Sequence, residues 1–446
     1  MRKTPNIGKR ANADWASILL GVGLGLTLAI YVNSTKIYDW HSVYAITLSL
    51  SRICAMLGAY FSLVGVVLVS RINWIEKSVG HDRLVLWHRK LGPYSIYLIT
   101  FHVLFVILSY AASDRVKIGM ETWRILFNYP WMIPAYLAFG FLITAGITSY
   151  KRVRKKISYE TWWTIHLYTY LAIGLGYMHQ VLIGPMFISS QISKYYWLSL
   201  YILAFGTILL WRILIPLTKS LIHNLKVQQI VHEGPGVYSI VMKGRNLEKL
   251  KAQGGQFFSW RFLSSGQWWM SHPYSLSAAP TKNYLRVTIK ALGDHSGQIK
   301  LIKPGTRVIF EGPYGTFVAA KASKEHILLV GGGVGITPLR ALLEEIDPEK
   351  QIDVIYRTSN ENELVLSNEL DELCKLKGAR IHYLVGSRNE HPMSAKNLLN
   401  YVPSLRDCDI YVCGPTAMVE SLRQAAREIG IPKNRFHDEV FEFHAV

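Results

Sequence analysis

The chain has 446 residues, of which 50% are hydrophobic and 12% aromatic, so a disordered chain, a collagen and a small disulfide scaffold are excluded. Lys and Arg number 49 against 30 Asp and Glu, which gives a formal net charge of +19. Residues 1–221 contain 22 basic and 7 acidic residues, whereas residues 222–446 contain 27 and 23. A basic, apolar half followed by a balanced half predicts a membrane domain joined to a soluble one, and argues against a nucleic-acid binder.

Six apolar stretches in the first half are long enough to cross a bilayer, since a helix of about 20 residues spans its hydrocarbon core. They cover residues 14–34, 43–69, 88–111, 129–150, 161–183 and 195–217. Basic residues crowd the N-terminal tail, the second and fourth loops and the exit from the last stretch, so both termini are expected in the cytoplasm. The N-terminal stretch has no small-residue cleavage site, and we interpret it as the first membrane helix. We therefore expect a multi-pass protein of a plasma-type membrane, in contact with the lipid bilayer.

Beyond residue 220 the pattern changes to short β-rich runs such as VYSIVM and YLRVTIKAL between glycine and proline turns, which is typical of a small antiparallel barrel. From HILLVGGGVG onward, apolar strands alternate with helical stretches, which predicts a parallel α/β sheet. The four cysteines have no CxxC spacing, so neither a disulfide framework nor a zinc site is indicated. The predicted domains are a six-helix transmembrane domain over residues 1–219, the barrel over 220–318 and the α/β domain over 319–446.

Four histidines lie in two of the predicted membrane helices, where ionisable side chains are costly and point to function. His88 and His102 are 14 positions apart, so they lie about 40° apart on one helix face and roughly 21 Å apart in depth. His166 and His179 are 13 positions apart, which leaves about 140° between them. Either that helix is locally distorted or its two sites lie at different azimuths, and the periodicity does not decide between these alternatives.

Because both helices start on the cytoplasmic side, His88 is expected to meet His166, and His102 to meet His179. Facing imidazoles are natural axial ligands of haem iron, and an iron with both axial positions filled suits electron transfer. A single intramembrane histidine is equally well explained by a hydrogen bond to a neighbouring helix, but two level pairs favour the haem interpretation. Arg52, in the second helix, carries an insertion cost of roughly 2.5–3.5 kcal/mol, which calls for an anionic partner unless the side chain snorkels to the surface.

The segments HRKLGPYSIYLITFH and SYETWWTIHLYTYLAIGLGYMH, with their histidine spacings, resemble the ferric reductase and NADPH oxidase superfamily. This resemblance extends over nearly the whole chain. It implies two b-type haems, an inner one on His88 and His166 and an outer one on His102 and His179. It also places an arginine such as Arg52 beside the outer haem, where we expect it to attract an anionic product.

The segment HPYSLSAAP at 272–280, followed by VTIKALGDHSGQI and EGPYGTF, resembles the flavin-binding motif of ferredoxin-NADP reductase-like domains. The barrel is thereby identified as an FAD-binding domain, with the Ser275 hydroxyl near the reactive edge of the flavin. For His272, a purely structural role at a strand end is the alternative. The FAD contacts that the resemblance implies are His272, Pro273, Tyr274, Ser275, Lys290, Gly293, His295 and Ser296.

The segment GGGVGITPL at 331–339 lies between an apolar strand and a helix, a context in which glycines bring backbone amides to a pyrophosphate. CGPTAMVESL resembles the second nicotinamide segment of the reductase family, which puts Cys413 near the reacting carbon. Arg357 and Ser387–Arg388 follow strands where the family recognises the adenosine 2′-phosphate, which favours NADPH unless the arginines are solvated surface charges. The implied nucleotide contacts are Gly331, Gly332, Gly333, Gly335, Thr337, Arg357, Ser387, Arg388, Cys413, Gly414 and Pro415.

The resemblance also suggests that an aromatic residue near the C-terminus, Phe443 more than Phe441, stacks on the flavin. The predicted function is a transmembrane NADPH oxidase that moves electrons from cytosolic NADPH through FAD and two haems to oxygen outside, forming superoxide. The alternatives are a ferric-chelate reductase with the same electron path, and an electron-donor subunit for a protein or quinone partner. No calcium-binding loop or proline-rich tail is visible in the sequence, so we expect no obligatory activating protein.

Overall fold

The computed structural model of the chain describes residues 7–34 and 42–440, apart from a few side chains. The chain divides into two compact units, Met1–Leu214 and Ile215–Val446. The described part of the first unit is helical. Its helices are α1 (Ile7–Ser34), α2 (Val43–Val69), α3 (Asn73–Val79), α4 (His81–Asp114), α5 (Ile118–Asn128), α6 (Met132–Ser149), α7 (Lys151–Arg154), α8 (Tyr159–Ile183), α9 (Pro185–Ile188) and α10 (Gln191–Thr207).

Five helices in the described ranges are long and apolar enough to cross a membrane: Asp14–Ser34, Val43–Val69, Arg83–Asp114, Met132–Ser149 and Gln191–His223. They correspond to five of the six predicted stretches. The remaining stretch forms the 25-residue helix α8, which does not reach the same apolar composition because it carries two histidines, a glutamine and several tyrosines. The count of six spanning helices is therefore not confirmed.

Helices α2 and α4 pack closely along their length through small residues. A side-chain carbon added at Gly58 would lie 2.8 Å from the Ile99 side chain, so the two backbones approach where a larger residue has no room. Beside this contact, the Ser62 and Ser95 hydroxyls are hydrogen-bonded at 2.5 Å. After α10 the chain continues as a π-helix, Ile208–Leu214, and as α11 (Ile215–His223).

The second unit begins with two three-stranded antiparallel sheets, ordered β1-β2-β5 and β4-β3-β6. Single bridges from Lys226 to Arg307 and from Leu276 to Val287 join the sheets at both edges, which closes the strands into a barrel. Alternating inward residues of both sheets fill one core, with Trp260 and Phe310 completely buried. The elements are β1 (Lys226–Gly234), β2 (Val237–Lys243), β3 (Phe257–Phe262), β4 (His272–Ser275), β5 (Tyr284–Lys290), α12 (Asp294–Gly297) and β6 (Val308–Tyr314).

The rest of the second unit is a five-stranded parallel sheet of order β11-β10-β7-β8-β9. Its central strands are buried on both faces because helices cover each side, as in other parallel sheets. The predicted barrel and α/β architecture are thus confirmed. The elements are β7 (His326–Gly332), α13 (Ile336–Glu345), β8 (Gln351–Thr358), α14 (Ser367–Lys377), β9 (Arg380–Val385), α15 (Ala395–Tyr401), β10 (Cys408–Gly414), α16 (Thr416–Ile429) and β11 (Phe436–Val440).

An ionic cluster connects the barrel to the α/β sheet. Glu369 on α14 accepts two hydrogen bonds from Arg286 of β5, at 2.7 and 2.8 Å, and a third contact from Nε of Arg340 at 2.9 Å. Burial alone would raise the pKa of Glu369, but the two guanidinium groups outweigh it and hold that pKa below its ordinary value. The cluster therefore stabilises the unit only while Glu369 is ionised.

Glu369→Gln is expected to lower the melting temperature of the second unit at pH 7, because it leaves two arginines without their shared carboxylate. A half-exposed ion pair is worth up to about 1 kcal/mol, which corresponds to roughly 2–4 °C in a unit of this size. Since the folded-state pKa is depressed, this stabilisation is present above the unfolded pKa of about 4.3 and is lost as the pH falls through the folded value. Thermal unfolding at pH 7 and below pH 4 checks this, and a difference that persists undiminished in acid would contradict it.

Candidate functional site

The structure brings the four membrane histidines together in the two predicted pairs. The His88 and His166 ring centres lie 6.0 Å apart, and those of His102 and His179 lie 6.3 Å apart. Helix α8 is α-helical from Tyr159 to Ile183 without interruption. The two pairs therefore lie at different azimuths of α8, which resolves the alternative that the sequence left open.

Backbone carbonyls orient the two histidines of α4. Nδ1 of His88 donates to the Gly65 carbonyl at 3.0 Å, and Nδ1 of His102 donates to the Ser51 carbonyl at 3.1 Å, with the Ser51 hydroxyl 2.8 Å away. A proton on Nδ1 leaves the lone pair on Nε2, so each ring is held in the tautomer that binds a metal through Nε2. On α8, in contrast, Nδ1 of His166 and of His179 is buried and has no hydrogen-bond partner in the described part of the chain.

The spacing of these rings fits a shared metal ion. A metal–nitrogen bond of about 2.0 Å, with about 1.1 Å from each nitrogen to its ring centre, gives roughly 6.2 Å between facing imidazole centres. The observed 6.0 and 6.3 Å lie on either side of that value. Two neutral imidazoles on opposite sides are also the donor set of a haem iron with both axial positions filled. The residues present thus fit haem at both pairs.

An apolar cavity surrounds the second pair, and we call it the His102 cavity. Its volume is about 230 Å³, and its lining includes His102, His179 and Arg52. Arg52 makes no hydrogen bond or ion pair with any residue in 7–34 or 42–440, and it is only half-buried. An unpaired guanidinium in an apolar cavity favours an anionic ligand.

The predicted FAD segment forms strand β4 of the barrel. The His272 and Tyr274 rings stack at 6.1 Å on one face, and the Trp260 indole donates to the Tyr274 carbonyl at 2.9 Å. Pro273 is exposed, whereas Ser275 is buried with its hydroxyl 3.5 Å from a Glu439 carboxylate oxygen. The structure therefore gives Ser275 an acidic neighbour that the sequence analysis did not identify.

The remaining predicted FAD contacts lie at the end of β5 and in the turn and short helix that follow it. The Ser296 hydroxyl accepts hydrogen bonds from the Leu292 and Gly293 amides at 2.9 Å, so those amides are satisfied within the turn. Lys290 lies 3.7 Å from Glu363 and lines the cleft of the α/β sheet, and not a space within the barrel. The backbone of His295 belongs to α12, but its side chain lies outside the described part, as do Phe441 and Phe443.

A cleft of about 280 Å³ opens at the carboxyl ends of the parallel strands, where ligands of such sheets bind. Three segments supply most of its wall: the glycine turn after β7, the end of β8 and the loop after β9. Pro415 contributes from the start of α16. Its lining residues are Lys290, Gly332, Gly333, Val334, Arg357, Thr358, Ser359, Glu363, Gly386, Ser387, Arg388, Pro415 and Met418.

Two arginines face this cleft, and neither has a carboxylate partner among the described residues. Burial and the neighbouring charge of Arg388 both lower the pKa of Arg357, so the two guanidinium groups are close enough to repel each other. Nε of Arg357 is buried and has no hydrogen-bond partner among the described residues. Two like charges held together in a cleft indicate an anion site, and an arginine pair suits phosphate.

The glycines of the turn after β7 allow close approach to the backbone, by a ligand or by neighbouring chain. Gly333 has a φ of +55° and open space where a side chain would be, so a ligand can approach its backbone. Gly335 and Gly331 instead pack against neighbouring chain: side-chain carbons there would meet the Cys413 backbone and Ile336. Thr337 donates to the Val334 carbonyl at 3.0 Å and fixes the turn, and its side chain does not line the cleft.

Cys413 is fully buried in the core between the sheet and α13, and its side chain does not line the cleft. Burial raises the pKa of the thiol well above its ordinary value, and the carboxylates of Glu439 and Asp438 raise it further. The structure thus holds a protonated thiol behind the cleft wall. Its predicted position beside the nicotinamide stays a prediction.

Several cleft residues were not identified from the sequence: Val334, Thr358, Ser359, Glu363, Gly386 and Met418. Thr358 is the last residue of β8, and Ser359 and Gly386 directly follow β8 and β9, so their position at the strand ends was a usable signal. Ser51 and Gly65 had no such signal, because the groups that they offer to histidine are backbone carbonyls.

Comparisons with protein families cover most of the chain in three segments. The ferric reductase like transmembrane component matches residues 54–177, an FAD-binding domain matches 223–318, and an oxidoreductase NAD-binding domain matches 329–424. This order is the ferric reductase and NADPH oxidase architecture. The chain is therefore a multi-pass membrane oxidoreductase with flavin and NAD(P) domains.

Curated relatives match over shorter stretches. Flavohemoprotein A of Dictyostelium discoideum is 30% identical, over 38% of this chain and 46% of its own length. The plasma membrane-associated coenzyme Q6 reductase PGA3 of Saccharomyces cerevisiae is 30% identical, over 49% of this chain and 76% of its own length. The chain thus spans about half the length of the flavohemoprotein. Among solved structures, the flavohem-like FAD/NAD-binding domain of nitric oxide dioxygenase from Vibrio cholerae is 21% identical with a TM-score of 0.42, and the match covers 49% of this chain and 98% of that one.

Proposed function

The chain belongs to the ferric reductase and NADPH oxidase superfamily, and we propose that it transfers electrons from NADPH through FAD and two b-type haems to molecular oxygen. Each NADPH supplies two electrons, so two oxygen molecules are each reduced to superoxide and one proton is released on the NADPH side. The observation that carries this proposal is the pair of facing imidazoles at each of two levels, 6.0 and 6.3 Å apart.

When bound, the flavin splits a two-electron donor into single-electron steps, and the haem irons carry single electrons across the membrane. The protein holds the ligands in place. The Gly65 and Ser51 carbonyls accept from Nδ1 of His88 and His102, which leaves the Nε2 lone pair of each ring free for a metal. Arg52 supplies positive charge in the His102 cavity, where an anionic product forms.

At the nucleotide cleft, Arg357 and Arg388 bind the 2′-phosphate of NADPH, and Gly333 lets the backbone approach the pyrophosphate. Ser275 and Glu439, 3.5 Å apart, are placed to hold or move a proton beside the flavin. The basic loops support a plasma-type membrane with both termini in the cytoplasm, so that the NADPH cleft is cytosolic and the His102 cavity lies toward the outside.

Arg357→Ala is expected to lower kcat/KM for NADPH by about 10- to 100-fold, since it removes a charge-assisted contact to the 2′-phosphate. The value for NADH, which lacks this phosphate, is expected to change by less than about threefold. Steady-state reduction of an artificial dye with each nucleotide measures both values. Arg427→Ala, an exposed arginine on α16 that does not line the cleft, is the matched control. Equal losses for both nucleotides would contradict the assignment.

A ferric-chelate reductase is the second candidate, and the description of the matching transmembrane family favours it. An acidic chelate needs a basic outer surface. Of the three basic residues between α4 and α6, however, Arg124 is compensated by Asp114 at 3.6 Å and by Glu121 at 3.9 Å. With three basic and two acidic residues, the segment 114–131 has a net charge of only +1, which favours oxygen over an acidic chelate.

Oxygen uptake by the purified holoprotein with FAD and NADPH, with superoxide followed by dismutase-sensitive dye reduction, tests the proposal. Superoxide formation that matches NADPH consumption and is unaffected by a ferric chelate supports the oxidase. Slow oxygen uptake with fast, dismutase-insensitive iron reduction identifies a metalloreductase. Haems that NADPH reduces, but that oxygen does not re-oxidise until a quinone or a protein acceptor is added, identify an electron-donor subunit. Haems that stay oxidised until a lysate fraction is added would refute our proposal that no activating protein is required.

A further inference from the structure

Gln180, the residue after His179 on α8, is locked by two donors from α10. The Trp197 indole donates to Gln180 Oε1 at 2.6 Å, and the Tyr201 hydroxyl donates to the same oxygen at 3.1 Å. Trp197 is 1% exposed and Tyr201 is 7% exposed, so both donors are fixed by packing.

These contacts determine which way the Gln180 amide faces. An indole N–H can only donate, so the atom facing Trp197 must be the amide oxygen and not the nitrogen. Both lone pairs of that oxygen are used by the two donors. The remaining polar group of the amide is NH₂, which can donate hydrogen bonds but cannot accept them.

That NH₂ group has no hydrogen-bond partner among residues 7–34 and 42–440. It lies beside Gly176, since a side-chain carbon at Gly176 would be 3.5 Å from Gln180 Nε2. Gly176 and Gln180 both line the His102 cavity, together with Arg52. The NH₂ hydrogens are accessible from this cavity and the described residues do not use them, so a ligand in the cavity can accept them.

We propose that Gln180 donates a hydrogen bond to oxygen as it is reduced in the His102 cavity, and so selects oxygen as the terminal acceptor. This inference rests on the proposed oxidase function. One electron passes to dioxygen, which leaves as superoxide, while the amide keeps its protons. A preset donor binds the negative charge that forms on oxygen more strongly than it binds neutral oxygen, so it accelerates the transfer.

Two variants remove the donor in different ways. Gln180→Glu keeps an oxygen that accepts from Trp197 and Tyr201, but it replaces the NH₂ group by a second carboxylate oxygen. Gln180→Met is uncharged, of similar length, and offers no donor. Ser199→Ala is the matched control, because it removes a hydroxyl from an exposed position of α10 that does not line the His102 cavity.

Both Gln180 variants are expected to lose about 10- to 100-fold in kcat/KM for oxygen, the range for removing a hydrogen bond to a charged group. The Ser199→Ala control is expected to stay within about threefold. Reduction of ferricyanide at the protein surface, haem content and the haem midpoint potentials are expected to match the wild type in all three variants.

Wild-type oxygen kinetics in Gln180→Met would overturn the inference. If only Gln180→Glu were slower, repulsion between its carboxylate and the forming superoxide would explain the loss, and the inference would also be overturned. Loss of haem or a shifted potential in both variants would show that Gln180 supports the cofactor and not the acceptor, which also overturns it. A wild-type protein that does not reduce oxygen would overturn the proposed function itself. Oxygen reduction by the wild type is therefore measured before the variants are compared.

Discussion

His102→Ala is expected to remove one of two haems and to abolish superoxide formation, while NADPH still reduces the flavin. His102 faces His179 at 6.3 Å, and an iron that loses one axial imidazole loses the ligand set on which its binding depends. Removal of a group that hydrogen-bonds a metal ligand already lowers metal affinity or activity about 10- to 100-fold. Removal of the ligand itself is therefore expected to lower activity by more than about 100-fold. His179→Ala is expected to have the same effect.

Haem content per chain, the absorption spectrum and anaerobic flavin bleaching by NADPH measure the three expected results. His232→Ala provides the control, because this histidine lies on the exposed side of β1 in the second unit. Ser51→Ala is expected to be mild, since the Ser51 carbonyl at 3.1 Å still accepts from His102 without the hydroxyl. If His102→Ala retained both haems, the ligand assignment would be wrong.

Gly335→Ala is expected to prevent the nucleotide domain from folding normally and to abolish NADPH-dependent flavin reduction. The added carbon would lie 2.7 Å from the Cys413 carbonyl carbon and 3.0 Å from the Gly414 Cα. Both atoms belong to the backbone of β10, which is hydrogen-bonded to strands on both sides and cannot withdraw. Overpacking in such a core costs about 1–3 kcal/mol or more.

Alanine substitutions at two other glycines distinguish the effect of crowding from that of backbone strain. Gly297→Ala meets no atom within 4 Å and has an ordinary helical φ of −67°, so it is expected to leave the melting temperature unchanged. Gly333→Ala also has open space but a φ of +55°, and it is expected to cost about 1–2 kcal/mol from strain alone. Thermal unfolding of the three variants ranks them, and equal stability of Gly335→Ala and Gly297→Ala would refute the packing argument.

The architecture could be predicted because each part has a period or a composition of its own. Apolar stretches predicted five of the spans, alternating residues predicted the barrel, and the glycine turn between a strand and a helix predicted the α/β sheet. The sixth span was harder to assess because α8 carries the polar residues of the histidine pairs, which lower its hydropathy. The histidine pairs require polar residues in α8, whereas crossing a membrane requires an apolar helix.

Site residues were predictable where they follow a strand or repeat along a helix. Arg357, Ser387 and Arg388 line one cleft because the carboxyl ends of parallel strands meet at one edge of the sheet. Lys290, a predicted FAD contact, lies 3.7 Å from Glu363 and lines the nucleotide cleft, because a long side chain at the end of β5 reaches across the unit. Its contact with FAD stays a prediction. The sequence does not encode which way such a side chain turns.

By itself, the sequence determined that four histidines lie at two depths of a membrane domain and that a flavin and nucleotide module follows, since spacing and motif are local properties of the chain. Only the tertiary structure decided which backbone carbonyls orient His88 and His102, how deeply Cys413 is buried, and which way the Gln180 amide faces. Each of these depends on atoms far away in the chain: Gly65 and Ser51 for the histidines, and Trp197 for Gln180. Backbone acceptors and packed donors leave no pattern in a sequence, because any residue supplies a carbonyl and only the fold brings it to its partner.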